Sequence, residues 1–216
     1  MQDPEKTQEN HPDKNHWEKV YGTRPVDAVS WYTPHLTRSL ELIAEAALPL
    51  DAHIIDVGGG ASTLAADLLD LGYTALTVLD LSASALASAR ASMGERAACV
   101  QWTVGDITTA PLPEATYDLW HDRAVFHFLT DPNDRAAYLR QVQHALKPGG
   151  RIIVATFGPD GPEKCSGLPV VRYDDVGLQA QFGADFERLH CLEERHETPW
   201  GSEQAFVYCL CRRKDT

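Results

Sequence analysis

Three carboxylates at the ends of apolar runs are the residues best placed to do chemistry. Asp56 follows Ile54-Ile55 and leads into Val57-Gly58-Gly59-Gly60, Asp80 closes the run from Ala75 to Leu79, and Asp106 follows the run from Cys99 to Val104. A short run of β-branched and apolar residues that stops at an acid reads as a buried strand. Glycines directly after it serve where the backbone takes positive φ or passes close to a ligand. Ser62 or Thr63 can cap a helix over the apolar stretch 64–71, leaving the free N–H groups of its first turn facing whatever lies above. Asp80, 22 positions beyond Gly58, is placed to take both hydroxyls of a ribose. A carboxylate at Asp106 can accept from an adenine amino group while the Ile107 N–H donates to the ring. Singly, each acid reads as a strand end or a helix cap. Three at successive strand ends, in register with a glycine turn, read as a nucleoside site.

A second group follows the run Tyr117–Trp120: His121, Asp122, Arg123 and, flanked by Phe126 and Phe128, His127. His127, Asp122, His121 and His35 are the candidate bases, and Cys165, in a Gly- and Pro-rich segment, is the candidate reactive thiol. Trp17, Tyr21, Trp31 and Tyr32 all precede the first strand. They are expected either to pack on the domain edge or to cover a ligand, with Trp31, His35 and Arg123 on the acceptor side.

The elements that must hold these groups alternate. Strands are expected at 54–57, 75–80, 99–104, 117–120 and 151–156. Helices are expected after Pro34, over 63–71, over 83–93 behind Ser82, and from Asp131-Pro132 to about Leu146. The helix after Pro34 should pack through Leu36, Leu40, Ile43, Ala44 and Ala47. Strands separated by helices imply right-handed crossovers and a mainly parallel sheet covered on both faces. The end breaks the rhythm: a short helix near 174–182, then long strands 186–197 and 203–212 with a five-residue connection, hence an antiparallel hairpin. The fold class is therefore α/β, a doubly wound, mainly parallel seven-stranded sheet with a C-terminal antiparallel hairpin. Ligands of such sheets lie beyond the carboxyl ends of the strands.

The turn discriminates between two ligand classes. The dinucleotide fingerprint needs a third glycine where this chain has Thr63, and its simple fold lacks a terminal hairpin. The order Asp-Val-Gly-Gly-Gly, Val-Leu-Asp, Gly-Asp-Ile, Tyr-Asp-Leu-Trp and Leu-Lys-Pro-Gly-Gly resembles the class I S-adenosylmethionine-dependent methyltransferases, closely over residues 50–156. The resemblance implies S-adenosylmethionine as cofactor and S-adenosylhomocysteine as product. By position it implies that Gly58 and Gly60 approach the methionine part, Asp80 holds the ribose and Asp106 with Ile107 the adenine, with Asp56 and Leu81 also at the cofactor. His121 would contact the methionine end, and Tyr21 would cover the cofactor. Trp17-x-x-x-Tyr21 is similar to small methyltransferase-like proteins, some of which methylate protein lysines. Their Asp-Lys-Gly-Thr is here Asp122-Arg123-Ala124-Val125, a departure from the lysine-methylating pattern.

The expected function is methyl transfer to a small-molecule nucleophile, with a thiol favoured. A protein-lysine methyltransferase and a non-catalytic S-adenosylmethionine-binding protein are the alternatives. With a formal net charge of −12 over 216 residues, a phosphate backbone is repelled, so nucleic acid is not an expected partner. No apolar run reaches the length of a membrane span. The five cysteines are odd in number and lack zinc spacing, so free thiols in a reducing cytoplasm, and no metal, are expected. Residues 1–16 are expected to be a disordered tail and 17–216 one domain, with an aromatic lid over 17–48.

Overall fold

The computed structural model describes residues 14–23 and 25–215 of the 216. The elements run α1 (Lys14–Thr23), α2 (Thr37–Glu45), β1 (His53–Val57), α3 (Leu64–Asp70), β2 (Ala75–Asp80), α4 (Ala83–Met93), β3 (Val100–Val104), β4 (Tyr117–Arg123), α5 (Pro132–Ala145), β5 (Leu146–Phe157), β6 (Lys164–Cys165), β7 (Leu168–Pro169), α6 (Asp175–Phe182), β8 (Phe186–Glu197) and β9 (Glu203–Arg213). Seven strands form one sheet in the order β3-β2-β1-β4-β5-β9-β8, and β6 and β7 form a separate two-stranded sheet. The pairs from β3 to β5 are parallel, while β9 runs antiparallel to both β5 and β8. The strand order reverses between β1 and β4, which places a ligand crevice at their carboxyl ends.

Alternation along the central strands builds the two apolar layers. On β1, Ile55 and Val57 face a layer with Tyr138 and Val142 of α5 and Leu178 and Phe182 of α6. Ile54 faces the other way, into a layer with Leu42 and Ile43 of α2, Leu64 and Leu68 of α3 and Leu86 of α4. β5 does the same, with Ile152 and Val154 on one face and Ile153 and Ala155 on the other. Each such aliphatic side chain removed from water stabilises the fold by roughly 1.5–3 kcal/mol. The caps follow the sequence. The Ser82 hydroxyl accepts from the Ala85 N–H, Asp131 from Asn133, and Asp174 from Gly177. Ser62 accepts from the Leu64 N–H at 3.1 Å, whereas Thr63 makes no side-chain cap.

Three expectations are corrected here. Lys14, Asn15 and His16, expected in a disordered tail, belong to α1; the rest of the expected tail, 1–13, lies outside the described residues. The buried face of α2 carries Ser39, Leu42 and Ile43, while Ala44 and Ala47 are exposed. A polar residue takes a core position there because it has a partner, described below. Finally, the cysteines are not all free. Cys191 and Cys209 sit opposite each other on β8 and β9, with Cα atoms 4.2 Å apart, and form a disulfide. Register across the hairpin brings them together, and spacing along the chain does not reveal it. Cys99, Cys165 and Cys211 are free thiols. Among the described residues, no helix is long and apolar enough to cross a membrane, and no group of three or more His, Cys, Asp or Glu could hold a metal ion.

Candidate active site

The turn after β1 is shaped by two carboxylates beneath it. Gly58 has φ of 70°, and a Cβ there would lie 2.0 Å from Val125 Cγ2. A Cβ on Gly59 would lie 2.2 Å from Asp56 Oδ2, and one on Gly60 2.6 Å from Asp80 Oδ2. All three positions are therefore closed to side chains. Asp80 ties this turn to the next one: Oδ2 accepts from the Gly60 N–H at 3.0 Å and Oδ1 from the Ser82 N–H at 2.7 Å. Burial pushes its carboxyl up to about 7, against the pull of those two donors.

Asp56 heads a buried chain. Its Oδ1 lies 2.7 Å from His121 Nδ1, and His121 Nε2 lies 2.8 Å from Ser39 Oγ. With the carboxylate accepting, Nδ1 carries the proton. The chain pins α2 to β4 and β1 and explains the polar residue in the α2 core face. Asp56 Oδ2 is buried without a protein partner. Asp106 Oδ1 accepts from both the N–H and the hydroxyl of Thr108, which squares the turn after β3.

Two adjoining cavities lie over these strand ends. The larger, about 750 Å³ and open to solvent, is lined by Gly58, Asp80, Leu81, Asp106 and Ile107 at one end. At the other end stand Trp17, Trp31, Arg123, Phe128 and Cys165, with Tyr21 among the lining residues. The smaller, about 490 Å³, lies over the glycine turn and is lined by Asp56, Gly58, Gly59, Ser62 and His121, among others. Tyr21, Trp31 and Arg123 line both. Gly60 lines neither, being turned onto Asp80.

Trp17, Tyr21 and Trp31, all ahead of β1, stand along the larger cavity. Trp17 meets Trp31 and Phe128 edge-on, with ring centroids 5.8 and 5.1 Å away. Two polar contacts that the sequence did not reveal fix α1 in place. Glu18 accepts from the N–H groups of Ala83 and Ser84 at the start of α4, at 2.6 and 3.2 Å. His16 Nε2 lies 3.2 Å from Ser166 Oγ, in the turn between β6 and β7. A hydrogen bond from the Ser84 side chain, joined by the two backbone N–H groups, holds Glu18 below the ordinary glutamate range against the opposing effect of burial.

The expected acceptor-side residues divide. Arg123 and Trp31 line both cavities. Cys165 lines the larger one, but burial pushes its thiol up to about 12, so it is a neutral thiol and not a thiolate. His127 is corrected: it is fully buried and lines neither cavity. Its Nδ1 accepts from the Phe157 N–H, and burial, with the charge of Arg123, lowers its imidazole to about 3. Asp122 is corrected too. Its carboxylate is fully buried and accepts from the N–H groups of Val125 and Phe126 and from the Tyr138 hydroxyl, so it shapes the turn after β4. His35 is exposed, pairs with Asp67 at 2.9 Å and lines neither cavity. Asp122 and His127 lie close to Arg123 in sequence, and it is their burial that removes them from the cavities.

Residues 54–150 match the methyltransferase domain family model. The ubiquinone/menaquinone biosynthesis C-methyltransferase of Ruegeria sp. is 31% identical over 117 residues, 51% of this chain and 46% of that protein. The eEF1A lysine and N-terminal methyltransferase of Mus musculus is 27% identical over 140 residues, 64% of this chain and 20% of that protein. The chain thus spans less than half the length of these relatives. The fold is similar to that of the 1,6-didemethyltoxoflavin-N1-methyltransferase of Burkholderia thailandensis, solved with 1,6-didemethyltoxoflavin and S-adenosylhomocysteine bound. The TM-score is 0.65 at 22% identity, over 83% of this chain and 78% of that one. Fold, site and comparisons point to one class: residues 54–150 match the methyltransferase domain model and lie in a Rossmann-like sheet of seven strands, the fold of S-adenosylmethionine-dependent methyltransferases. The residues present fit that cofactor, with a buried carboxylate at the end of β2, a turn closed to side chains, and an orphaned Asp56 oxygen beside the smaller cavity.

Proposed function

We propose that the protein transfers the methyl group of S-adenosylmethionine to a small molecule enclosed beneath α1, with a thiol as the favoured acceptor. The observation that carries this is the larger cavity. It runs from the carboxylates at the ends of β2 and β3 to a pocket walled by Trp17, Trp31 and Phe128. The cofactor supplies a methyl group on a sulfonium, poised for in-line displacement. What remains for the chain is to hold two reactants in line and exclude water. Asp80 and Leu81, with Asp106 and Ile107, would hold the nucleoside. Asp56, Gly58 and His121 would hold the methionine end, and α1 with Tyr21 would close over both as a lid.

Among the described residues, no imidazole or carboxylate lines the cavity on the Trp17–Arg123 side. His127 is walled off and neutral, and Asp122 is fully engaged. A nucleophile that ionises unaided near neutral pH suits such a site, which favours a thiol over an amine or an alcohol. The lysine reading draws support from the likeness to the eEF1A methyltransferase. Against it stands Arg123, a cation in the wall that would meet a lysine ammonium with like charge. The test is S-adenosylhomocysteine release with low-molecular-weight thiols, phenols and amines set against peptides and intact proteins. Turnover confined to the small acceptors supports the proposal; turnover confined to proteins contradicts it.

A further inference from the structure

We infer that Arg123 is an anion-recognition group of the acceptor site, and that the methyl acceptor is a small, largely apolar molecule bearing an oxyanion such as a carboxylate. The inference rests on the reading that the larger cavity receives an acceptor. Arg123 ends β4 and lines both cavities. Its Nε donates to the Tyr208 hydroxyl at 2.9 Å and its Nη1 to the Trp31 carbonyl at 3.0 Å. Its guanidinium carbon stands 4.6 Å from the centre of the Phe206 ring. The head group is therefore fixed in place by neutral partners.

A guanidinium carries five N–H donors in a rigid fork. Two of Arg123's are used in these bonds, and no carboxylate of the described residues lies within ion-pairing distance of it. The acid in its network, Glu194, is reached only through the Tyr208 hydroxyl, which donates to it at 2.9 Å. Half-buried cations with unspent donors are completed well by an oxyanion, which a guanidinium takes in two parallel hydrogen bonds. Trp17, Trp31 and Phe128 line the same cavity and supply apolar surface for the rest of the molecule. In a chain of net charge −12, this local cation is what admits an anion that the molecule as a whole repels. The methionine carboxylate of the cofactor is the competing occupant, since Arg123 also borders the smaller cavity.

The experiment is calorimetric titration of the protein saturated with S-adenosylhomocysteine. The probes are aryl carboxylates matched with their amides: benzoate, 2-naphthoate, indole-3-acetate and 2-mercaptobenzoate. We expect at least one carboxylate to bind roughly tenfold more tightly than its amide, as a charged hydrogen bond implies. Arg123→Met should abolish that preference and Arg123→Lys should keep part of it, with S-adenosylhomocysteine affinity unchanged in both. The inference is overturned if no carboxylate outbinds its amide, or if the preference survives in Arg123→Met. It is also overturned if that variant loses S-adenosylhomocysteine affinity, which would give Arg123 to the cofactor and leave the methyltransferase reading standing. Failure of the wild type to bind S-adenosylhomocysteine would instead refute that reading, and this inference with it.

Discussion

Glu18 Oε1 accepts a hydrogen bond from the Ala83 N–H at 2.6 Å, so a residue of the first helix caps the helix that begins just after the site carboxylate Asp80. That contact joins α1 to the end of the cavity that Asp80 lines. Glu18→Ala should cost about 1 kcal/mol of stability, the usual value of a helix cap. If α1 acts as a lid, it should also weaken S-adenosylhomocysteine binding several-fold in calorimetry. Because its folded pKa is lowered, the Glu18 contact is present above the ordinary glutamate pKa and is lost as pH falls through the lowered value. Unchanged affinity in Glu18→Ala would mean that α1 only packs on the domain edge.

Asp80 binds two backbone N–H groups in the protein itself, so Asp80→Ala would orphan both, each at about 1–3 kcal/mol. Asp80→Asn is the cleaner test of a ribose contact. Burial holds the Asp80 carboxyl at about 7, and ribose hydroxyls donate best to its ionised form. S-adenosylhomocysteine affinity should therefore rise as pH climbs through 7 in the wild type and stay flat in Asp80→Asn. For folding the sign is opposite. A raised carboxyl pKa gives a stability contribution fully present below the unfolded value and lost as pH rises through about 7. A flat affinity profile in the wild type would remove Asp80 from the binding contacts.

His127 should not act as a base. Its imidazole is held at about 3, so it contributes stability above the unfolded value of about 6.5 that is lost as pH falls toward 3. Thermal melts from pH 7 to 4 should show a smaller decline in His127→Asn than in the wild type. Any acid limb of a rate profile near 6.5 should persist in that variant. Disappearance of the limb would restore His127 as a catalytic group.

The Cys191–Cys209 disulfide closes a loop of sequence separation 18, for which chain entropy implies about 3 kcal/mol. Cys191→Ser should lower the melting temperature under oxidising conditions and match the wild type under reducing ones. Equal melting of the two proteins without reductant would show that the bond does not form in solution.

Much of the fold could be read from residue order because its signals are local. Strand ends marked by Asp56 and Asp80, caps at Ser82 and Asp131, and the five-residue turn before Glu203 each declare themselves within a few positions. The strand-end carboxylates and the glycine turn that line the cavities were legible for the same reason. The acceptor side was not. His127 and Asp122 leave the same segment as Arg123, and only the turn after β4, held by the Val125 and Phe126 N–H groups, decides that they point into the core while Arg123 points out. Glu18, Ser39 and the disulfide stayed hidden because their partners are 65, 82 and 18 residues away.

The central claim is that the cavity between the ends of β1, β2 and β3 and the first helix is an S-adenosylmethionine site and not a dinucleotide site. Isothermal titration of the full chain with S-adenosylhomocysteine, and separately with NAD, tests it directly. The account predicts saturable one-to-one binding of S-adenosylhomocysteine and none of NAD; tight NAD binding with no S-adenosylhomocysteine binding would contradict it.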